Sequence, residues 1–216
     1  NIAIIKNREQ DIINICHSLK GVIRNLCILK AGDIAEKIEY EVRDKKEIEE
    51  ADALILPGVG AFGDAMGALE NTGLIPTIKE FVANGKKLLG ICLGAQLLYE
   101  KGFELGEFDG LGFIKGSVVP FRGVINKDLK IPHMGWNPLD FKKADPILKY
   151  IKEKEQVYYV HSFYIKSDGK EVVASSEYDI DVPGIVCNGN VYGMQFHPEK
   201  SGNTGLNLLK AFGELI

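Results

Sequence analysis

The sequence predicts an α/β fold, one domain over residues 1–216. Its central sheet is expected to be mostly parallel, with flanking helices and an added antiparallel part in the C-terminal half. Three observations carry this expectation. Short, continuously apolar runs alternate with helix-like stretches through the first half, as strands buried on both faces do. The second half is denser in strands and turns. The chain of 216 residues, 45% hydrophobic and 26% charged, is long enough for one sizeable core, and no repeat, low-complexity tract or Ser/Pro-rich linker divides it.

Taken in order, Ile2 to Ile5 reads as a buried first strand rather than a signal peptide, because the run is apolar for four residues and then turns charged. Gln10 to about Lys30 carries Ile12, Ile13, Ile15, Cys16 and Leu19 at helix-like spacing. Ile38 to Val42 alternates as a strand. Ala53 to Leu56 is a continuous apolar strand running into Pro57-Gly58-Val59-Gly60. Leu74 to Asn84 is an amphipathic helix closed near Gly85, and Lys87 to Ile91 is another buried strand. In the second half, Val157 to His161 and Glu171 to Ala174 read as strands. Gly184 to Cys187 and Val191 to Phe196 form a hairpin about Asn188-Gly189-Asn190, and Thr204 to Leu215 is a final amphipathic helix. In parallel sheets ligands bind beyond the carboxyl ends of the strands, so Leu56-Pro57-Gly58 and Ile91-Cys92 mark the expected site.

Charge and composition exclude several classes. Thirty acidic residues against 26 basic ones give a net charge of -4, without the electrostatics of a nucleic-acid binder. No apolar run approaches the roughly 20 residues of a membrane helix. Cys16, Cys27, Cys92 and Cys187 show no CxxC spacing, so a reduced, cytoplasmic protein is expected. The four histidines show no metal spacing, and neither a metal nor another cofactor is expected.

The sharpest local feature is Gly90-Ile91-Cys92-Leu93-Gly94-Ala95-Gln96. An apolar strand ends on Cys92 and a helix-like stretch follows, with glycine two residues to either side. This is the strand–turn–helix pattern of a nucleophile elbow, carrying sulfur in place of hydroxyl. The strained turn needs small neighbours. The amides that open the helix favour a thiolate, and the Leu93 amide can face a developing oxyanion. Gln96 lies one helical turn on, within reach of a bound substrate. A lone cysteine is more often a core residue; the paired glycines and the strand-to-helix switch favour the nucleophile.

A thiol nucleophile needs a histidine, and the histidine a carboxylate. In Gln195-Phe196-His197-Pro198-Glu199-Lys200, extended chain points His197 and Glu199 to one side, and Pro198 marks where the segment leaves the sheet. By itself this stretch reads equally well as an exposed turn. His161 ends a strand and could line the pocket or cap the core. His133 lies in Ile131-Pro132-His133-Met134-Gly135-Trp136-Asn137, read as a loop, and His17 on a helix is structural. Pro57 to Gly63 lacks the lysine of a P-loop and the spacing of a dinucleotide fingerprint. A plain turn is the simple reading of it, but its place at a strand end turns the amides of Gly58, Val59 and Gly60 toward the pocket, where a peptide flip makes or breaks an oxyanion hole.

Together these pieces resemble the class I, Cys-His-Glu glutamine amidotransferases. Gly90, Cys92, Gly94 and Gln96 meet the pattern G-x-C-x-G-x-Q, and His197-Pro198-Glu199 completes it. Within the class the chain is most similar to glutaminase subunits of imidazole glycerol phosphate synthase. Leu56 to Met66, Pro132 to Asn137 and Phe196 to Gly202 carry that narrower match. The resemblance implies that Cys92 forms a glutamyl thioester, His197 shuttles protons and Glu199 orients His197. It implies that Gly60, Gln96, Glu104, Ser162 and Phe163 hold glutamine. It implies that His133, Trp136, Asn137 and Lys200 dock on a separate (β/α)8-barrel cyclase, through which ammonia reaches a ribonucleotide. Turnover of the chain alone is expected to be low where the Gly58 to Gly60 peptide is misoriented without the partner. One stretch departs. Where the family has D-Y-G-x-G-N after its first strand, this chain reads Lys6-Asn7-Arg8-Glu9-Gln10-Asp11, and the segment before Ile38 is about ten residues longer than helix-length norms give. The departure keeps a second reading open, a paralogous ammonia supplier for a sugar-amidinating synthetase in surface polysaccharide synthesis. Two further classes fit the residues less well. A non-catalytic scaffold is disfavoured by the intact triad, and a cysteine peptidase by Gln96 and the loop at Trp136.

Overall fold

The computed structural model describes residues 3–5 and 45–216. The expected helix over 10–30, the strand over 38–42, the glycine-free stretch from Lys6 to Asp11, and Cys16, His17 and Cys27 lie outside the described residues.

Strand β1 (Ala3–Ile5) pairs antiparallel with β2 (Ala53–Gly58), and α1 (Lys45–Glu50) precedes β2. Then come α2 (Phe62–Asn71), α3 (Ile75–Ala83), β3 (Lys87–Cys92) and the five-residue α4 (Leu93–Leu97). The strands β4 (Tyr99–Gly102), β5 (Phe108–Asp109), β6 (Ile114–Pro120), β7 (His133–Pro138) and β8 (Asp140–Phe141) follow. The chain closes with β9 (Gln156–His161), β10 (Phe163–Lys166), β11 (Val172–Glu177), β12 (Asp181–Asn188), β13 (Val191–Met194) and α5 (Gly202–Gly213).

Among the described residues the main sheet has seven strands in the order β1-β2-β3-β13-β12-β11-β8; β10-β6-β4-β5 form a second sheet and β7-β9 a third. The α/β class is as expected, and among the described strands of the main sheet antiparallel pairs outnumber parallel ones. Among the described residues, parallel pairing in the main sheet is confined to β2–β3 and β3–β13. The reason is connection length. β12 and β13 pair from Asn188↔Val191, which leaves only Gly189 and Asn190 in the turn, and Gly189 takes φ +63°. So short a turn can only send the chain back antiparallel.

The core has two layers, set by the two-residue period of strands. Leu54, Leu56 and Leu88 face Ile48, Phe62, Met66, Ile78 and Phe81 on one side. Ile55, Leu89 and Ile91 face Leu208, Leu209 and Phe212 of α5 on the other. Burial on both faces is why these strands read as unbroken apolar runs.

Two segments differ from the sequence reading. Phe62–Asn71 is a helix, which the glycines at 63 and 67 hid; Phe62, Met66 and Leu69 form its buried stripe at helical spacing. His133–Pro138, read as a loop, is a strand. It pairs residue for residue with β9, from His133↔His161 to Pro138↔Gln156. Apart from Trp136 its residues carry little strand propensity of their own, and the partner strand supplies the order.

Candidate active site

Strand register assembles the site. The pairing Gly58↔Cys92 sets the end of β2 beside the end of β3, and Met194↔Ile91 does the same for β13. Cys92 ends β3 with φ 53° and ψ -111°, a left-handed conformation for a residue with a Cβ. Such strain persists only where the surroundings enforce it. The flanking glycines show how. A Cβ on Gly90 would come 2.6 Å from the carbonyl oxygen of Gly94 and 2.7 Å from the amide of Ala95; one on Gly94 would collide with the carbonyl oxygen of Leu56. The elbow therefore admits no side chain at either position. Since α4 has only five residues, it offers Cys92 its first amides rather than a long dipole.

His197 and Glu199 are buried, at 2% and 1% exposure. His197 Nδ1 meets Glu199 Oε1 at 2.8 Å. They meet by a different route from the extended chain expected. His197 is extended (φ -96°, ψ 98°), and Pro198–Lys200 curls in a 3-10 turn that brings Glu199 back beneath the ring. The His197 amide donates to the carbonyl of Tyr158, and Ser201 Oγ donates to the His197 carbonyl while accepting from the Tyr158 amide. These bonds tie the turn to β9. Burial lowers the His197 pKa, but the bonds to Cys92 and Glu199 raise it more, and it is pushed up to about 9. The imidazolium is thus favoured at neutral pH. With Nδ1 occupied by Glu199, Nε2 is the nitrogen left for the sulfur.

A cavity of about 280 Å³ opens over the sulfur, at the lower end of the range of small-molecule sites. Val59 and Gly60 form one wall, and Cys92, Leu93 and Gln96 the floor. Glu104, Val160, His161, Ser162, Phe163, His197 and Lys200 complete it. Gly58 and Glu199 stand just behind this lining. Gly60 takes φ +109°, open only to glycine without strain, and Val59 is 71% exposed. Glu104 Oε2 accepts from the Phe62 amide at 2.7 Å, which pins the carboxylate to the start of α2. Lys200 lies both in the pocket wall and 5.9 Å from the Tyr158 ring centroid, and Trp136 packs edge-on against the same ring.

The docking set expected from the resemblance divides. Trp136 is 54% exposed and Met134 beside it 59%, but the His133 side chain is wholly buried and so presents nothing to a partner. Its Nε2 lies 2.9 Å from Asn137 Oδ1 and its Nδ1 3.0 Å from His161 Nε2. His161 both lines the pocket and belongs to the core: its Nδ1 donates to the Phe163 carbonyl at 2.7 Å. Burial pushes its pKa down to about 3, so the ring stays neutral. Among the described residues no group of three or more His, Cys, Asp or Glu side chains is placed to hold a metal ion.

Sequence reasoning passed over three groups. Ser201 fixes the catalytic turn. The Val160 carbonyl lies 4.0 Å from Cys92 Sγ. Gln195, wholly buried, directs Nε2 at the same sulfur from 4.0 Å and accepts from Gln96 through Oε1. Its signal was in the sequence: it stands two residues before His197 in a stretch read there as extended, where such residues face the same side; in the fold both lie just past the end of β13.

Known proteins resemble this chain in sequence and in fold. The family described as glutamine amidotransferase class-I matches residues 4–214. Imidazole glycerol phosphate synthase subunit HisH of Caldanaerobacter subterraneus is 52% identical over 174 residues, covering 80% of this chain and 84% of that protein. The subunit of the same name from Lactococcus lactis is 50% identical over 175 residues, covering 81% and 85%. Among solved structures, that of PurLQS from Thermotoga maritima matches with a TM-score of 0.59 at 24% identity, covering 77% of this chain and 81% of that one, a likeness of fold.

Proposed function

The chain belongs to the class I glutamine amidotransferase family and is a glutaminase subunit of the imidazole glycerol phosphate synthase type; on that premise we propose that Cys92, His197 and Glu199 are its catalytic triad. The observation that carries this is Cys92 held at positive φ on a strand end, in one pocket with a buried His197–Glu199 pair.

The thiolate of Cys92 attacks the side-chain carboxamide carbon of glutamine. The tetrahedral oxyanion is received by the amides of Leu93 and of the Gly58-Val59-Gly60 stretch. His197 gives its proton to the leaving nitrogen, ammonia departs, and a glutamyl thioester remains. Water then attacks the thioester, His197 takes the water proton, and the C–S bond breaks to release glutamate. Glu199 keeps the imidazole oriented and stabilises its charged form. Gly60, Gln96, Glu104, Ser162 and Phe163 hold the substrate; the acid of Glu104 and the ammonium of Lys200 suit the two charges of an amino acid. The reading takes residues 1–216 as one amidotransferase domain. A separate cyclase subunit receives the ammonia, and we assign it a (β/α)8 barrel docked at Trp136, the Tyr158 edge and Lys200, beside the pocket mouth. Ammonia passing through it meets a ribonucleotide, which yields imidazole glycerol phosphate and an aminoimidazole carboxamide ribonucleotide.

The test is glutamate released from glutamine by the chain alone and by the chain with the cyclase and its ribonucleotide. A rise on adding the partner of about 10²–10³, the worth of one oxyanion donor, is expected, and its loss in Cys92→Ala. Turnover unchanged in Cys92→Ala would remove the triad. Cys92-dependent turnover that the cyclase leaves unchanged would point instead to a sugar-amidinating synthetase as partner.

A further inference from the structure

Gln195 has no polar atom to spare. Its side chain is wholly buried, and an unpaired amide there would be costly. The parallel pairing Met194↔Ile91 places the next residues, Gln195 and Cys92, side by side at the strand ends. Its backbone amide donates to the Gly184 carbonyl. The orientation of its side chain is not a free choice. The chain begins at the Phe163 backbone carbonyl, which can only accept. The Gln96 atom 3.0 Å from it must therefore be Nε2. That same Nε2 lies 3.0 Å from Gln195, so Gln195 must present Oε1 there. Its Nε2 is then turned to Cys92 Sγ at 4.0 Å. One backbone carbonyl thus dictates two amide orientations and ends in an N–H aimed at the sulfur. It also leaves Oε1 of Gln96, a pocket-lining residue, as the acceptor free to meet a substrate.

We propose that Gln195 is a positioning residue for the glutaminase reaction: it presents an N–H to the Cys92 thiolate and locks Gln96 with its carbonyl oxygen free for the substrate. The inference rests on Cys92 being the nucleophile. At 4.0 Å the bond is long for a resting thiol. The sulfur accepts hydrogen bonds more strongly once ionised, so the donor contributes most when the thiolate forms. His197, backed by Glu199, is the charged group next to the sulfur, with Glu104 and Lys200 in the pocket wall; all four are retained in the variants below.

The test uses Gln195→Met, which keeps the length and removes both polar ends, with Gln195→Leu as a second variant. Alkylation of Cys92 by iodoacetamide in the full chain is expected to slow about tenfold at pH 7, the worth of a hydrogen bond to a charged group. It should converge with wild type at a pH high enough for the thiolate to be fully formed in both chains. A merely structural role would slow it equally at every pH. In glutaminase assays with the cyclase, Gln195→Met should raise KM about tenfold, and the double variant with Gln96→Met should be no worse in KM than Gln96→Met alone, because Gln195 acts on substrate through Gln96. In the native chain, the Gln195 side-chain amide resonance should move as Cys92 ionises and stay still in Cys92→Ala, a readout that depends on no Gln195 variant folding. Alkylation within twofold of wild type at all pH values, or an unmoved amide resonance, would overturn the proposal while leaving the triad standing. Glutaminase activity surviving complete alkylation of Cys92 would remove the triad itself.

Discussion

Replacing Glu199 by Gln keeps the shape beneath His197 and removes its charge. The two side chains meet at 2.8 Å and are 2% and 1% exposed, so water screens little of their interaction. A hydrogen bond to a charged group contributes about 1.5–3 kcal/mol against about 0.5–1.5 for a neutral one. The substitution therefore costs the imidazolium about 1 kcal/mol, close to one unit in its midpoint. His197 sits at about 9 in the fold against an ordinary 6.5, so the variant should titrate near 8. The sign for stability follows. A base raised in the folded state stabilises fully below its unfolded midpoint, and that contribution fades as pH rises from 6.5 through about 9. The whole contribution is about 3 kcal/mol, and the variant should lack about a third of it. The assay is a proton NMR titration of the His197 ring in both chains, with urea unfolding at pH 6 and pH 9.5. Turnover with the cyclase at pH 7 should fall about tenfold or more, through lost orientation as well as lost charge. A midpoint still near 9, or turnover within twofold of wild type, would refute the argument.

The other expectations concern stability. His161 has the opposite sign. Burial holds it near 3, so between pH 6.5 and pH 3 the unfolded chain takes up a proton the folded one refuses, and stability falls as pH falls, by a total on the order of 5 kcal/mol. The two histidines together place the stability maximum near pH 6.5; in urea unfolding, a maximum above pH 9 would contradict the His197 assignment and one below about pH 5 the His161 assignment. Gly94→Ala, whose Cβ would meet the Leu56 carbonyl, should cost about 3 kcal/mol or more and lower Tm by roughly 5–10 °C. Gly67→Ala in α2 meets no atom within 4 Å and should stabilise by up to about 1 kcal/mol. Equal Tm changes in the two variants would show that the elbow is not constrained as described.

The site was legible in the sequence where its chemistry is local. Gly90, Cys92 and Gly94 announce the elbow because steric exclusion acts between residues a few positions apart and against the neighbouring strand, leaving a pattern of missing side chains. His197 and Glu199 were paired correctly for a reason that needed revision: the 3-10 turn at Pro198, not extended chain, brings them together. The helix α2 went unread because two glycines masked the Phe62, Met66 and Leu69 stripe. Strand β7 went unread because its order comes from β9, about two dozen residues on.

By itself the sequence determined the α/β class, the strand ends where a ligand would sit, and the residue types able to perform thiol chemistry. These are properties of periodicity and of side-chain size, which act over one turn of helix or two residues of strand. Only the tertiary structure decided that His133 is buried rather than offered to a partner, that His161 is held neutral, and that Gln195 lies against the nucleophile. Each depends on which strand lies beside which: β7 on β9, and β13 on β3 in the register that sets Gln195 beside Cys92. Burial and hydrogen-bond partners belong to that pairing, and residues distant along the chain share it only once the sheets have formed.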